Sequence, residues 1–176
     1  MANQLPTAGN TPAQFRARKY LAITAFVVFV IDDATKLLAS HFLGANPHHI
    51  IGSFLQLHLT FNTGAAFSLG SNWGPVLGIT SLGISGLIIF YGSKVLKRGI
   101  ATSLGLILGG ALGNVSDRLL RSPNPLHPNA LPSGGFFHGA VVDWIELPHW
   151  PIFNIADSCV SIGIIWLVFI AINSEI

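Results

Sequence analysis

The chain has 176 residues, of which 51% are hydrophobic and only 9% are charged. Soluble domains usually carry about 25% charged residues, so this composition argues against a soluble enzyme and against a disordered chain. The formal charge is only +2 and the sequence has no basic block, which argues against nucleic acid as a partner. The length suits a single domain over residues 1–176, and its apolar excess must face lipid.

Four apolar segments are long enough to cross a bilayer, which takes about 20 residues. Because unpaired backbone groups are costly in lipid, each segment is predicted to be a helix. The segments cover approximately residues 20–40, 73–93, 100–120 and 152–172. The polar residues 1–15 are predicted to form a flexible tail. The first apolar run continues into charged residues without a small-residue cleavage site, so it is interpreted as a retained membrane anchor.

The distribution of Lys and Arg near the ends of the spans predicts their orientation. Six basic residues precede the first span or lie between the second and third, against three on the other side. Both termini are therefore expected in the cytoplasm, with two long loops outside, at about residues 41–72 and 121–151. Residues 55–62 alternate between apolar and polar types, which predicts a strand. The expected fold is an all-α integral membrane protein with four transmembrane helices and a small extracytoplasmic β-sheet and loop region on the outer membrane face.

Four aspartates are predicted to converge at the outer side of the membrane. An intramembrane charge costs at least about 2.5 kcal/mol near the bilayer centre, so each Asp in so apolar a chain needs a reason. At about 1.5 Å per helical residue, Asp32 lies roughly 18 Å up the first helix and Asp117 roughly 26 Å up the third. Asp157 falls in the first two turns of the descending fourth helix, and Asp143 lies in the loop just before it.

Two carboxylates that can reach one water form a reaction unit. They cannot both ionise easily, so the pair shares a proton. The ionised member takes a proton from water, and the protonated member donates to a peptide carbonyl oxygen. This aspartic-protease chemistry needs neither a metal nor another cofactor. Spacing alone leaves Asp117 ranked beside Asp157 for this role.

Two asparagines stand three residues before an aspartate, at a spacing that shares one helix face. The pairs are Asn114 with Asp117, and Asn154 with Asp157. Each amide is predicted to hydrogen-bond its carboxylate and fix the carboxylate's rotamer. The alternative is that these are satisfied polar residues, including Arg118, that hold helices together.

Competing chemistries have weaker support. Residues 83–86 read G-I-S-G, like the G-x-S-G of rhomboid serine proteases, but no span contains a His to act as base. This segment is interpreted as a close helix packing site. Lys36 and Ser40 have the spacing of a Ser-Lys dyad, although neutralisation of Asp32 is the simpler role for Lys36. No pair of His has ligand spacing, and Cys159 is the only cysteine, so no metal is expected.

Five motifs occur in order along four matching spans, and together they resemble those of the lipoprotein signal peptidase family, also called signal peptidase II. The resemblance extends from about residue 18 to residue 172. The motifs are D-D-A-T-K (residues 32–36), F-N-T-G-A-A-F (61–67), G-G-A-L-G-N-V-S-D-R (109–118), V-V-D-W (141–144) and F-N-I-A-D-S (153–158).

The resemblance implies that Asp143 and Asp157 are the catalytic dyad of a bacterial aspartic protease. The remaining motif residues would support the site or bind substrate: Asp32, Lys36, Asn62, Asn114, Asp117, Arg118 and Asn154. The implied substrate is a prolipoprotein whose lipobox Cys carries a diacylglyceryl group, and cleavage falls just before that Cys.

The resemblance also implies a location in the bacterial cytoplasmic (inner) membrane, with the active site at its outer face. Membrane lipid would be a partner, and the antibiotic globomycin resembles a blocked substrate of this family. We expect a monomer. Two departures stand out: Asp33 replaces the usual Gln, and the Pro-rich segment 121–138 is longer than typical. Two other functions stay open, namely a proton-coupled transporter and a non-enzymatic membrane assembly factor.

Overall fold

The computed structural model describes residues 11–44, 46–64, 73–122 and 136–173. Within these ranges the chain forms helices that carry the apolar segments, joined by a small sheet. The elements follow in the order α1 (Pro12–Phe42), β1 (His48–Ile51), β2 (Leu55–Asn62), α2 (Gly74–Gly92), α3 (Arg98–Leu120), β3 (Val141–Glu146) and α4 (Ile155–Asn173).

Each predicted span coincides with a helix, but the helices differ in how closely they fit a membrane-spanning segment. In the described part of the chain, α2, α3 and α4 are long and apolar enough to cross a bilayer. The 31-residue α1 also carries charged residues at both ends of its apolar run, including Asp32, Asp33 and Lys36. These charges distinguish α1 from the other three helices.

The first helix begins earlier than the sequence predicts. Thr11 caps α1, because its hydroxyl accepts a hydrogen bond from the backbone N–H of Gln14 while the Gln14 side chain accepts from the Thr11 N–H. This reciprocal capping box fixes the first turn, and Pro12 suits the first helical position. The predicted flexible tail over residues 1–15 is therefore wrong for residues 12–15, and residues 1–10 lie outside the described residues.

Helix α3 lies at the centre of the bundle and contacts each of the other three helices. Its glycines allow this close approach. A Cβ at Gly109 would collide with the backbone of Ala25 on α1, and a Cβ at Gly110 would lie 2.5 Å from the carbonyl oxygen of Ala156 on α4. Small residues at such interfaces are typical of membrane helices, where close van der Waals packing drives association. In contrast, α4 buries only Ala156 and Gly163.

The three strands form an antiparallel sheet in the order β1-β2-β3. The predicted strand at residues 55–62 is confirmed as β2. The prediction of a loop around Asp143 is wrong, because this residue lies in β3 opposite Thr60 of β2. Pairing with β2, about 80 residues earlier in the chain, stabilises β3.

The start of β3 is held against the end of α3. Gly139 N–H donates to the Arg118 carbonyl at 2.9 Å, and Ala140 N–H donates to the Arg121 carbonyl at 3.2 Å. These bonds satisfy two of the carbonyls that a helix C-terminus leaves unpaired. The strand that carries Asp143 is therefore positioned by α3.

The two glycines of the G-I-S-G segment in α2 make no close helix contact, which corrects the sequence interpretation for these two positions. A Cβ at Gly83 or Gly86 would meet no atom within 4 Å. Ser85 is buried and donates its hydroxyl to the Ser81 carbonyl one turn earlier. The Pro-rich run over residues 123–135 lies outside the described residues, so its predicted loop structure stays a prediction.

We predict that Gly110→Ala destabilises the protein by about 1–3 kcal/mol, because the added methyl group overpacks the interface between α3 and α4. Thermal unfolding in detergent measures the effect. Gly86→Ala is the matched control, since a methyl group there meets open space. Equal melting temperatures for the two variants would contradict the close contact at Gly110.

Candidate active site

Lys36 lies at the centre of a buried polar cluster between α1 and α3. Its side chain is 1% exposed, and its ammonium group lies 2.7 Å from a carboxylate oxygen of both Asp32 and Asp117. The same group donates a hydrogen bond to Asn114 Oδ1 at 2.9 Å. The predicted neutralisation of Asp32 by Lys36 is confirmed. A Ser-Lys dyad is not formed, because the Ser40 hydroxyl has no hydrogen-bond partner in the described part of the chain.

The N-terminus of α4 holds the second part of the cluster. Asn154 Oδ1 accepts a hydrogen bond from the Asp157 N–H at 2.9 Å, and Asp157 Oδ2 accepts from the Asn154 N–H at 3.3 Å. This is a reciprocal cap, which fixes both side chains. In the same turn, Asp32 Oδ1 accepts a hydrogen bond from the backbone N–H of Ala156 at 2.8 Å. Asp32 and Asp157 therefore both lie at the positive end of the α4 dipole.

Asp143 reaches the same place from β3. Its carboxylate accepts hydrogen bonds from Asn154 Nδ2 at 2.7 Å and from Asn62 Nδ2 at 3.0 Å. Asn154 is 0% exposed. Its side-chain amide donates to Asp143, and its backbone N–H donates to Asp157. One asparagine thus ties the end of a strand to the first turn of a helix.

The two asparagine spacings have different outcomes. Asn154 pairs with Asp157 as predicted. Asn114 does not pair with Asp117; its amide donates to Asp157 on α4 at 2.8 Å. The prediction for Asn114 is wrong because the spacing of residues along one helix does not reveal a hydrogen-bond acceptor on a neighbouring helix.

The environment of Asp143 favours its protonated form. Burial raises the pKa of Asp143 from its ordinary value of 3.8 to about 7, and the negative charge of Asp157 acts in the same direction. The hydrogen bond from Asn62, the charge of Lys36 and the hydrogen bond from Asn154 oppose this rise. Near neutral pH the Asp143 carboxyl is therefore close to half protonated.

An apolar groove of about 560 Å³ leads along α2, α3 and α4 to this cluster. Asn114, Arg118 and Asp157 line it together with Leu, Ile and Val side chains. Arg118 is 7% exposed and donates one N–H to the Asn114 carbonyl at 3.2 Å, while its Nε has no partner in the described ranges. The groove thus combines a wall suited to a hydrocarbon chain with hydrogen-bond donors at one end.

The nine residues that the sequence singles out form one continuous network of hydrogen bonds and ion pairs. They are Asp32, Lys36, Asn62, Asn114, Asp117, Arg118, Asp143, Asn154 and Asp157. The described residues contain no group of three or more His, Cys, Asp or Glu side chains placed to hold a metal ion.

Sequence reasoning missed Arg121 as a member of this network. Its guanidinium bonds Asp117 and also Asp33 at 2.6 Å. The spacing of four residues between Asp117 and Arg121 on one helix could have indicated the first contact. The contact with Asp33 gives that unusual carboxylate a partner.

A bundle of apolar helices thus gathers four carboxylates at one end, and buried Asn154 donates to two of them, through its side-chain amide and its backbone N–H, which fits a membrane peptidase of the aspartic type. Residues 24–173 match the family described as signal peptidase (SPase) II, and the chain belongs to this family. It is therefore an enzyme that removes signal peptides from prolipoproteins, rather than a transporter or an assembly factor.

Individual relatives agree with this membership. The chain is 39% identical over 169 residues to the lipoprotein signal peptidase of Mycolicibacterium smegmatis, covering 95% of this chain and 67% of that protein. It is 37% identical over 164 residues to the lipoprotein signal peptidase of Mycobacterium bovis, covering 93% and 76%. A solved bacterial membrane enzyme, determined by the in meso method at 2.3 Å resolution, superposes with a TM-score of 0.73 at 25% identity, over 88% of both chains.

We predict that the buried Asp143 carboxyl destabilises the fold as pH rises. The folded protein binds this proton up to about pH 7, whereas an unfolded chain releases it near 3.8, so stability is lost between these values. Asp143→Asn stays neutral throughout. Its melting temperature relative to wild type should therefore rise between pH 4 and pH 8, by roughly 10 °C.

Asp33→Asn serves as the control for this measurement, because the Asp33 side chain is 42% exposed and ion-paired. Removing that charge should not stabilise the protein at high pH. A melting-temperature difference between Asp143→Asn and wild type that stays constant from pH 4 to pH 8 would contradict the assigned environment.

Proposed function

We propose that Asp143 and Asp157 are the catalytic dyad that activates water to cleave the prolipoprotein. The observation that carries this proposal is the shared asparagine, since the Asn154 side-chain amide donates to the Asp143 carboxylate and the Asn154 backbone N–H donates to the Asp157 carboxylate. Both the strand and the helix end are fixed to α3, which favours a preorganised pair.

The two carboxylates take different roles. Asp157 is the base, because the α4 dipole and two N–H donors stabilise its negative charge. Asp143 is the acid, because its pKa of about 7 leaves a proton available at neutral pH. Water loses a proton to Asp157 as its oxygen attacks the peptide carbonyl, while Asp143 donates its proton to the carbonyl oxygen. The tetrahedral intermediate then returns that proton to Asp143, and Asp157 protonates the departing amine.

The groove between α2, α3 and α4 binds the substrate. Its apolar wall suits the signal-peptide helix and the diacylglyceryl chains. Asp157 lies at the polar end of the groove. Arg118 has unused donors there that suit peptide or ester carbonyl oxygens. The lipid anchor holds the scissile bond before the modified Cys at the depth of the dyad. Globomycin, as a substrate-like inhibitor, occupies the same groove.

We further propose that all four helices span the inner membrane as one monomeric domain. The cations at the ends of α1, α2 and α3 opposite the cluster support a cytoplasmic position for both termini. The buried ion pairs of Asp32 and Lys36 remove the penalty that their charges would otherwise impose on α1. The sheet and the dyad then face the outer side.

Asp143→Asn and Asp157→Asn should each lower turnover by at least about 10²- to 10⁴-fold, because an amide neither accepts the water proton nor alternates between acid and base. The measurement is cleavage of a diacylglyceryl-modified prolipoprotein by purified protein in detergent. The double variant should be no worse than either single variant, since the two groups act as a unit.

Asp117→Asn is the comparison variant, because Asp117 is equally buried but bonds Lys36, Arg121 and Val142 rather than Asn154. It should be less impaired than either dyad variant. A folded but inactive Asp117→Asn together with near-normal turnover by Asp143→Asn would replace the proposed dyad by Asp117 and Asp157.

The proposed orientation predicts which cysteines react from outside the cell. In a Cys159→Ala background, His48→Cys on β1 should react with a membrane-impermeant maleimide in intact cells, and Lys97→Cys only after permeabilisation. Both positions are exposed. Labelling of Lys97→Cys in intact cells would reverse the topology.

A further inference from the structure

Arg121 occupies a buried position at the junction of α1, α3 and the segment that leads into β3. It is the C-cap of α3 and is only 7% exposed. Its Nε donates to Asp117 Oδ1, and its terminal nitrogen lies 2.6 Å from Asp33 Oδ1. One planar guanidinium therefore joins two carboxylates from two helices through a rigid fork of N–H donors.

The contact with Asp117 completes the surroundings of that buried carboxylate. Asp117 is 1% exposed, and its second oxygen, Oδ2, is bonded by Lys36 at 2.7 Å and by the Val142 N–H at 3.2 Å. Arg121 alone bonds Oδ1 among the described residues. Without Arg121, one oxygen of a buried carboxylate would lack a partner, so the side chain would rotate or admit water.

The path from Arg121 to Asp143 is short. The Val142 N–H that Asp117 accepts belongs to the residue directly before Asp143. The backbone carbonyl of Arg121 also accepts the Ala140 N–H at 3.2 Å. The side chain of Arg121, through Asp117, and the main chain of Arg121 therefore both help to fix the short segment directly before Asp143.

Asp33 adds a partly exposed carboxylate to this arrangement. Arg121 and Lys36 supply two positive charges against the three carboxylates of Asp32, Asp33 and Asp117. Asp33 is 42% exposed, whereas Asp117 is buried. Asp33 therefore holds the guanidinium from the solvent side without being part of the buried cluster.

We propose that Arg121 is a positioning residue for the reaction, held in place by Asp33, which fixes Asp117 and through Asp117 the strand that presents Asp143. This inference rests on the proposed role of Asp143 in the dyad. Arg121 and Asp33 do not line the substrate groove, so they act on turnover rather than on substrate affinity.

The test is the kcat and KM of purified variants on a diacylglyceryl-modified prolipoprotein in detergent. Arg121→Gln should lower kcat by about tenfold to a hundredfold while KM changes by less than about twofold, because misplacement of a reacting group slows the chemical step. Asp33→Asn should lower kcat only by a factor of about three, since an exposed ion pair contributes little. Asp33→Glu should retain the wild-type kcat.

The double variant distinguishes coupling from two separate effects. Because Asp33 acts only through Arg121, Asp33→Asn together with Arg121→Gln should match Arg121→Gln alone. Arg98→Gln is the matched control, since it is the same change at the other end of α3, where Arg98 stacks on Tyr20. That variant should keep the wild-type kcat and KM.

The outcomes separate this inference from the proposed dyad. If Arg121→Gln does not fold, the comparison of Asp33→Asn with Asp33→Glu decides, and equal kcat values for these two would overturn the inference. Wild-type kcat in Arg121→Gln, a loss seen in KM alone, or multiplying losses in the double variant would also overturn it. In each of these cases, an inactive Asp143→Asn variant would still support the proposed dyad. An active Asp143→Asn variant would contradict the dyad.

Discussion

The burial of one ammonium group, that of Lys36, is the constraint on which the rest of the structure depends. A charged side chain this deep is costly unless it is paired, and removal of one partner from a buried ion pair is strongly destabilising. Lys36 meets the requirement with Asp32, Asp117 and Asn114. Each of these three is bonded onward: Asp32 to the α4 N-terminus, Asp117 to the start of β3, and Asn114 to Asp157. Neutralising one cation therefore links α1, α3, α4 and the start of β3.

Close helix packing makes such short side chains sufficient. Asp and Asn reach only a few ångströms, so they can bridge two helices only where the backbones nearly touch. Gly113 on α3 faces the Asp32 carboxylate directly, leaving no room for a Cβ, and Gly110 allows the same approach to α4. The glycine-rich face of α3 and the polar cluster are thus two parts of one arrangement. Overpacking at either glycine would separate the hydrogen-bonding partners as well as the helices.

The sequence predicts what depends on local pattern and misses what depends on partners far along the chain. Hydropathy predicts the helical segments, and alternation predicts β2, because each property is carried by neighbouring residues. The strand β3 is missed, since its hydrogen bonds come from β2. The nine motif residues are found through carboxylate depth, helix spacing and family resemblance, but the partner of Asn114 and the role of Arg121 depend on how helices rotate against each other. Hydrophobic periodicity is too weak in these apolar helices to define that rotation.

The same asparagine donates to two carboxylates that lie in different surroundings. Asp157 lies in the first turn of α4, where unpaired N–H groups and the helix dipole stabilise negative charge. Asp143 lies in a strand, 3% exposed, with only side-chain amides as donors. Asn154 itself treats them differently, because its side-chain amide donates to Asp143 and its backbone N–H donates to Asp157. Fixing a strand against a helix end therefore does more than bring two acids together. It gives the two carboxylates different hydrogen-bond donors, and of the two only Asp157 lies at the positive end of a helix dipole.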